Sequence, residues 1–307
     1  MPKDGYAWWY LDALSDDGMY GLTIIAFIGS VFSPYYAWAR RRGGADPLRH
    51  CALNVALYGR GIKRWAMTER GADAVSRGPD HLSIGRSRLA WNDAGLSVQV
   101  DEMAVPLPRR VRGQIRLRPS AVENREWALD TEGRHRWRPI APCARVDVVL
   151  ERPALRWEGD AYFDCNVGDR PLEADFRHWN WSRAPIRGGT IIGYDVVRCD
   201  ASSHRIALLC RTEGGVHPID PLPATALPRT LWRIARSAPA DPEHVPAAVA
   251  TLEDTPFYAR SLIATQLLGH PTQAIHETLS LGRFCSPLVQ AMLPFRMPRA
   301  LGRFALG

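Results

Sequence analysis

The chain is poor in lysine, which occurs only at Lys3 and Lys63, so arginine supplies nearly all of the cationic charge behind its net +7. Its six cysteines (Cys51, Cys143, Cys165, Cys199, Cys210 and Cys285) sit far apart, and none is spaced as C-x-x-C. In a chain of 307 residues this argues against a disulfide framework and for reduced thiols in the cytoplasm. The amino terminus, Met1 to Gly5, carries no signal-peptide core. The longest apolar run, Leu22 to Phe32, is about half of the roughly 20 residues a spanning helix needs, so a membrane span is not expected. Gly188-Gly189 has neither the Rossmann nor the P-loop spacing, and no G-x-S-x-G elbow occurs. His270, His276 and Glu277 lack a second histidine at the distance a zinc helix requires. Nucleotide, metal and serine-nucleophile chemistry are therefore disfavoured, and no cofactor is expected. The basic balance favours an anionic surface, but no basic helix or base-stacking module points to nucleic acid.

Hydrophobic residues make up 46% and charged residues 23%, an ordinary globular balance for one large or two ordinary domains. Strand signals dominate: Tyr6–Leu14 and Tyr20–Ser33 flank the turn Ser15 to Gly18. Cys51–Tyr58, Leu82–Ile84, Leu96–Val100 and Val111–Leu117 follow with Gly, Pro or Asp punctuation. A second series comprises Val146–Leu150, Ala161–Cys165, Phe176–Trp181, Thr190–Val197, Ile206–Cys210, Thr230–Ser237, Tyr258–Leu268 and Ile275–Leu281. So many short strands predict an all-β protein of two sandwiches or barrels. The expected domains are residues 1–140 and 141–307, joined at Arg138 to Pro142. A half-repeat supports the doubling: Trp9-Tyr10-Leu11-Asp12 echoes Trp157 and Tyr162-Phe163-Asp164. Residues Ala238 to Pro246 read as a surface loop. Ser286 as N-cap and Pro287 at the first helical position predict a short C-terminal helix over Leu288–Leu293, stopped by Pro294. Beyond Thr278 come Arg283, Arg296, Arg299 and Arg303 with no acid, interleaved with Phe284, Leu288, Met292, Phe295, Met297, Leu301 and Phe304. Such a tail either packs on a barrel or offers a cationic, apolar edge to an anionic bilayer.

The chemistry concentrates in two X-x-X pairs, His135-Arg136-Trp137 and Tyr162-Phe163-Asp164, whose spacing puts both side chains of each on one face of a strand. They combine an acid, an imidazole and two electron-rich rings. That set suits acid chemistry on an apolar substrate, where a positive charge is created and then cradled. Asp164 must be buried to keep its proton near neutrality, and Tyr162, Trp137 and Trp157 can wall it. Trp137 and Trp157 can each stabilise a cation by roughly 1–2 kcal/mol when desolvated. His135 can relay a proton or activate water. Each residue also has a plain structural use: Asp164 in a turn, Tyr162 in cross-strand packing, the tryptophans in a core, His135 at the surface. Asp12, Asp160, Asp175 and Asp195 are rival acids, and His178, Trp179 and Trp181 lie on a further aromatic strand that can border a pocket.

Over nearly its whole length the chain resembles the carotenoid 1,2-hydratase family, or hydroxyneurosporene synthases. The likeness runs through Gly5-Tyr6-Ala7-Trp8-Trp9-Tyr10-Leu11-Asp12, Val31 to Tyr36, Cys51 to Gly59 and His135 to Pro139. It continues in Gly159 to Asn166, Trp179 to Arg183 and Met292 to Arg299. The chain begins almost at the Tyr-x-Trp-Trp motif, where some members carry a longer leader. The resemblance implies tandem lipocalin-like β-barrels and cofactor-free hydration of the terminal C1=C2 bond of acyclic carotenoids such as neurosporene and lycopene. It places the family's H-x-W and Y-x-D positions on His135, Trp137, Tyr162 and Asp164; from the residues themselves, Trp157, Trp179, Trp181, Tyr10 and Asp12 are candidate substrate contacts. Asp164 is then the acid, Trp137 and Tyr162 face the cation, and His135 positions water. A membrane-resident polyene further implies a cytoplasmic protein touching an anionic membrane peripherally, through the C-terminal arginines or Arg40-Arg41-Arg42 beside Tyr35-Tyr36. The competing class is a lipocalin-like carrier that holds an apolar lipid without reacting it, for which a buried carboxyl has no use.

Overall fold

Period-two alternation of apolar and polar residues, punctuated by Gly and Pro, folds as strands throughout the computed structural model, which describes residues 1–300. The described residues divide into two compact units, Met1–Pro171 with the chain beyond Ala291, and Leu172–Gln290.

The first unit is built on β1 (Tyr6–Ser15), β2 (Tyr20–Ile28), β3 (Cys51–Gly59), β4 (Arg64–Arg70), β5 (Val75–Arg77) and β6 (His81–Ile84). It continues with β7 (Ser87–Asn92), β8 (Gly95–Met103), β9 (Arg110–Pro119), β10 (Trp127–Ala128), β11 (His135–Arg152) and β12 (Leu155–Gly168). These form one sheet in the order β4-β3-β2-β1-β12-β11-β9-β8-β7-β6-β5, with β10 on β11. The sheet curls until its ends approach. Val105 N–H donates to the Trp65 carbonyl, and Arg70 of β4 reaches Glu102 of β8 at 2.7 Å. Inside the nearly closed barrel lie Leu11, Leu22, Ile24, Leu53, Val55, Ile84, Val98, Ile115, Val146 and Phe163, a single apolar core. Burial of that core is the main force closing the barrel.

Helix α1 (Pro34–Arg41) lies in the first unit, and the one-turn helix α2 (Leu172–Asp175) opens the second. Its strands are β13 (Phe176–Ile186), β14 (Gly189–Arg198), β15 (Ser203–Arg211), β16 (Val216–Pro218), β17 (Ala224–Leu227), β18 (Arg236–Pro239), β19 (Ala247–Asp254), β20 (Tyr258–Leu267) and β21 (His270–Ser280). The main sheet runs β16-β15-β14-β13-β21-β20-β19, and β17 pairs with β18. In each unit the first strand closes on the last, β1 on β12 and β13 on β21. The helices α3 (Leu281–Phe284) and α4 (Pro287–Arg296) follow β21.

Several expectations need correction. The join expected at residues 138–142 lies inside β11, which passes through Pro139 and Pro142 with register shifts rather than a break. The half-repeat does not mark equivalent positions in two barrels: its two copies pair with each other, Tyr10 opposite Asp164 and Asp12 opposite Tyr162. The strand expected to run to Ser33 ends at Ile28, because Gly29 turns the chain at φ +65° against the Gly5 carbonyl, where a Cβ would come within 2.5 Å. Ser33 then caps α1 through the Tyr35 and Tyr36 N–H groups. The same Ser-Pro signal read at residues 286–287 stood at 33–34 and marked this missed helix. Thr230–Arg233 is a turn, with Arg233 at φ 58°. Pro294 lies within α4; it forfeits its own N–H bond, and the helix still closes through Met297 N–H to the Leu293 carbonyl at 2.7 Å.

Candidate active site

Strand β1 and residues 161–166 of β12 are largely buried on both faces, and the two faces differ in kind. One carries Leu11, Ala13, Ala161, Phe163 and Cys165 into the apolar core. The other carries Tyr6, Trp8, Tyr10 and Asp12 from β1, and Tyr162, Asp164 and Asn166 from β12. Strand β11 adds His135 and Trp137, in register with Gly168 and Asn166. A residue type that alternates with core positions is thereby held on a scaffold that cannot slip without inverting both faces.

Asp164 is 4% exposed, while His135, Trp137, Tyr162 and Asp12 are fully buried. The Trp137 indole N–H donates to Asp164 Oδ2 at 2.9 Å, and the Tyr162 hydroxyl donates to the same oxygen at 2.7 Å. Two donors on one oxygen fix the carboxyl plane and stabilise the carboxylate left once a proton has gone. Tyr10 meets the Tyr162 ring edge-on, with centroids 6.2 Å apart. His135 Nδ1 pairs with the Tyr6 hydroxyl at 2.9 Å, and the Tyr6 ring stacks on Trp8 at 4.9 Å. Gly168 makes that pair possible, since a Cβ there would lie 2.4 Å from the Tyr6 ring and 2.8 Å from His135 Nδ1. Cys165, on the opposite face of β12, is no nucleophile: burial, and next the Asp164 charge, push its thiol up to about 12.

Six of the residues singled out from sequence therefore share one face: Tyr10, Asp12, His135, Trp137, Tyr162 and Asp164. His135, expected at the surface if merely structural, is buried. Trp157 is not with them. It alternates onto the other face of β12 and packs in the barrel core. Trp179 and Trp181 lie on β13 of the second unit, where Trp181 is in register with Tyr194 and Trp179 contacts its ring at 6.2 Å. Of the rival acids, Asp160 is bound to Arg145 at the surface, and Asp195 to Arg205. Tyr6, Trp8 and Asn166 complete the face and were not singled out, although the alternation Tyr6-x-Trp8-x-Tyr10-x-Asp12 was there to read.

The geometry defines a class: all-β proteins in which a buried carboxyl is clamped by a tryptophan and a tyrosine on one wall of a barrel. Comparison with known proteins narrows it. The model of the carotenoid hydratase CrtC family matches residues 24–305. The chain is 56% identical over 299 residues to the acyclic carotenoid 1,2-hydratase of Thiocapsa roseopersicina, spanning 97% of this chain and 74% of that protein. It is 50% identical over 303 residues to the enzyme of the same name from Rubrivivax gelatinosus, with the same coverage. Among solved structures, an AttH protein from Nitrosomonas europaea shares the fold, at a TM-score of 0.63 and 14% identity, over 90% of this chain and 92% of that one. The chain belongs to the carotenoid hydratase family.

Proposed function

We propose that this protein adds water across the terminal C1=C2 bond of an acyclic carotenoid such as neurosporene or lycopene. Family membership supports the substrate class. The observation that carries the chemistry is the buried Asp164 carboxyl with two hydrogen-bond donors on Oδ2. Asp164 gives its proton to C2 of the isoprenoid end, and the π electrons of C1=C2 form the new C2–H bond. A tertiary cation remains at C1, beside the Asp164 carboxylate and the rings of Trp137 and Tyr162. Ring faces contribute roughly 1–2 kcal/mol each to such a cation when water is excluded. Water then attacks C1, one of its O–H bonds breaks, and that proton returns the Asp164 carboxylate to its acid form, leaving the 1-hydroxy product. His135 supports the wall through Tyr6. Nothing in this sequence of steps draws on a cofactor.

The test is incubation of the purified protein with dispersed lycopene in ¹⁸O-water, with Asp164→Asn in parallel. A product with labelled hydroxyl, lost in the variant, is expected. Lycopene bound but unchanged would make the protein a carrier and Asp164 a packing residue.

The proposal includes peripheral contact with an anionic membrane, where such polyenes reside, from the cytoplasmic side in keeping with six cysteines outside any disulfide. Among the described residues no helix is long and apolar enough to cross a bilayer. Supporting the contact, Leu231 and Trp232 are 96% and 47% exposed at a turn flanked by Arg229 and Arg233, a pairing suited to headgroups and acyl chains. Leu288 and Phe295 of α4 are also exposed. The tail arginines are less free than expected: Arg296 lies over the Trp65 ring, Arg299 binds Glu69, and Arg283 binds the Trp232 carbonyl. Leu301, Arg303 and Phe304 lie outside the described residues. Co-sedimentation with phosphatidylglycerol vesicles should weaken as salt rises and with Leu231→Ser/Trp232→Ser. Equal sedimentation with neutral vesicles would remove the electrostatic component.

A further inference from the structure

The strand pairing draws a second polar row beside Asp164. Asp164 stands in register with Tyr10, Ile25 and Asn54 across β1, β2 and β3. The next row on the same face is Tyr162, Asp12, Thr23 and Ala56. Thr23 alternates with the core residues Leu22 and Ile24, so its side chain shares the face of Asp12. It is 3% exposed, and its Oγ1 has no hydrogen-bond partner among the described residues. A buried hydroxyl in that state is costly, and a valine of the same shape would not bear the cost. Its neighbours in the row are a fully buried carboxyl on one side and the small Ala56 on the other. A water bound there would have polar partners, as a buried water requires.

We infer that Asp12 and Thr23 hold the water that captures the cation, Thr23 orienting it and Asp12 taking its proton. This rests on Asp164 being the acid, as proposed above. As the C1–O bond forms, one water O–H bond breaks and its proton passes to the Asp12 carboxylate. The active site then holds a protonated Asp12 and an ionised Asp164. One proton returns through the Tyr162 hydroxyl, which is in register with Asp12 and bonded to Asp164. His135 is worse placed for the water. It is in register with Gly168, four residues from Asp164 and so about 13 Å away along β12, against about 7 Å for the Asp12 row. Its Nδ1 is also engaged with Tyr6.

The experiment uses lycopene in D₂O with the full chain and reads two quantities: alcohol formed, and deuterium in the recovered carotenoid. A cation that is not captured returns to alkene by losing a C2 proton, which leaves deuterium behind. Thr23→Val should lower alcohol formation about tenfold, the effect of one lost orienting hydrogen bond. It should raise deuterated alkene per alcohol by a similar factor, with a melting temperature no lower than wild type. Thr23→Ser should restore both. Asp12→Asn should also keep deuterium entry while losing alcohol. A valine variant with both readouts unchanged, or both falling in parallel, would overturn the inference, as would loss of deuterium entry in Asp12→Asn. Asp164→Asn separates the two readings: it should abolish deuterium entry and alcohol together, and if deuterium still enters, it is the assignment of the acid that fails.

Discussion

Replacing Trp137 with phenylalanine tests the clamp on Asp164 most directly. Trp137 is fully buried and its indole N–H lies 2.9 Å from Asp164 Oδ2. Phenylalanine keeps an aromatic face in the wall but removes the donor. A hydrogen bond to a charged acceptor is worth about 1.5–3 kcal/mol, and this one reaches full strength only when Asp164 has given up its proton. The loss therefore falls on the transition state rather than on binding. Trp137→Phe should lower kcat by about tenfold to a hundredfold and leave KM close to wild type. The assay is initial-rate hydration of dispersed lycopene, with unfolding followed in parallel because the smaller ring leaves a void. Since Tyr162 donates to the same oxygen, Trp137→Phe/Tyr162→Phe should cost more than either change alone, with a coupling that a double-mutant cycle measures. A single variant with wild-type kcat and a raised KM would refute the reasoning, for Trp137 would then be only a substrate contact.

Stability should depend on pH through His276. Burial pushes this imidazole down to about 4, and its Nε2–H donates to the Ser237 carbonyl at 2.8 Å. The unfolded chain takes up that proton near pH 6.5, whereas the folded chain resists it until about pH 4. The contribution is therefore complete above pH 6.5 and is lost as pH falls toward 4, by about 2 kcal/mol at pH 5. Melting temperatures at pH 7 and 5 should diverge for wild type and draw together in His276→Gln; parallel shifts in both would place the titration elsewhere. Gly168→Ala should cost about 1–3 kcal/mol by overpacking and separate Tyr6 from His135, read as a lower melting temperature with reduced hydration. Unchanged unfolding would mean that the pair can move aside without penalty.

The alternation of residue types was enough to predict an all-β chain, most of its strands, and that His135 with Trp137, and Tyr162 with Asp164, share a strand face. Spacing of two places side chains on one face of a strand whatever the strand pairs with, so each pair was legible by itself. The Ser-Pro signal likewise foretold α4 from local capping alone. What no local pattern could supply was the partner of each strand. Tyr10-x-Asp12 and Tyr162-x-Asp164 look like copies in separate barrels, yet 152 positions apart they pair antiparallel in one sheet, so that each tyrosine faces the other segment's aspartate. Register is set by burial of the core face across the whole barrel, and only that register brings Thr23 beside Asp12 and gives the Trp137 indole to Asp164. Trp157, seven residues before Asp164 on the unbroken β12, falls on the opposite face by the same alternation, and barrel closure makes that face the core. Local propensity determined the strands and their faces; long-range hydrophobic closure determined which faces meet.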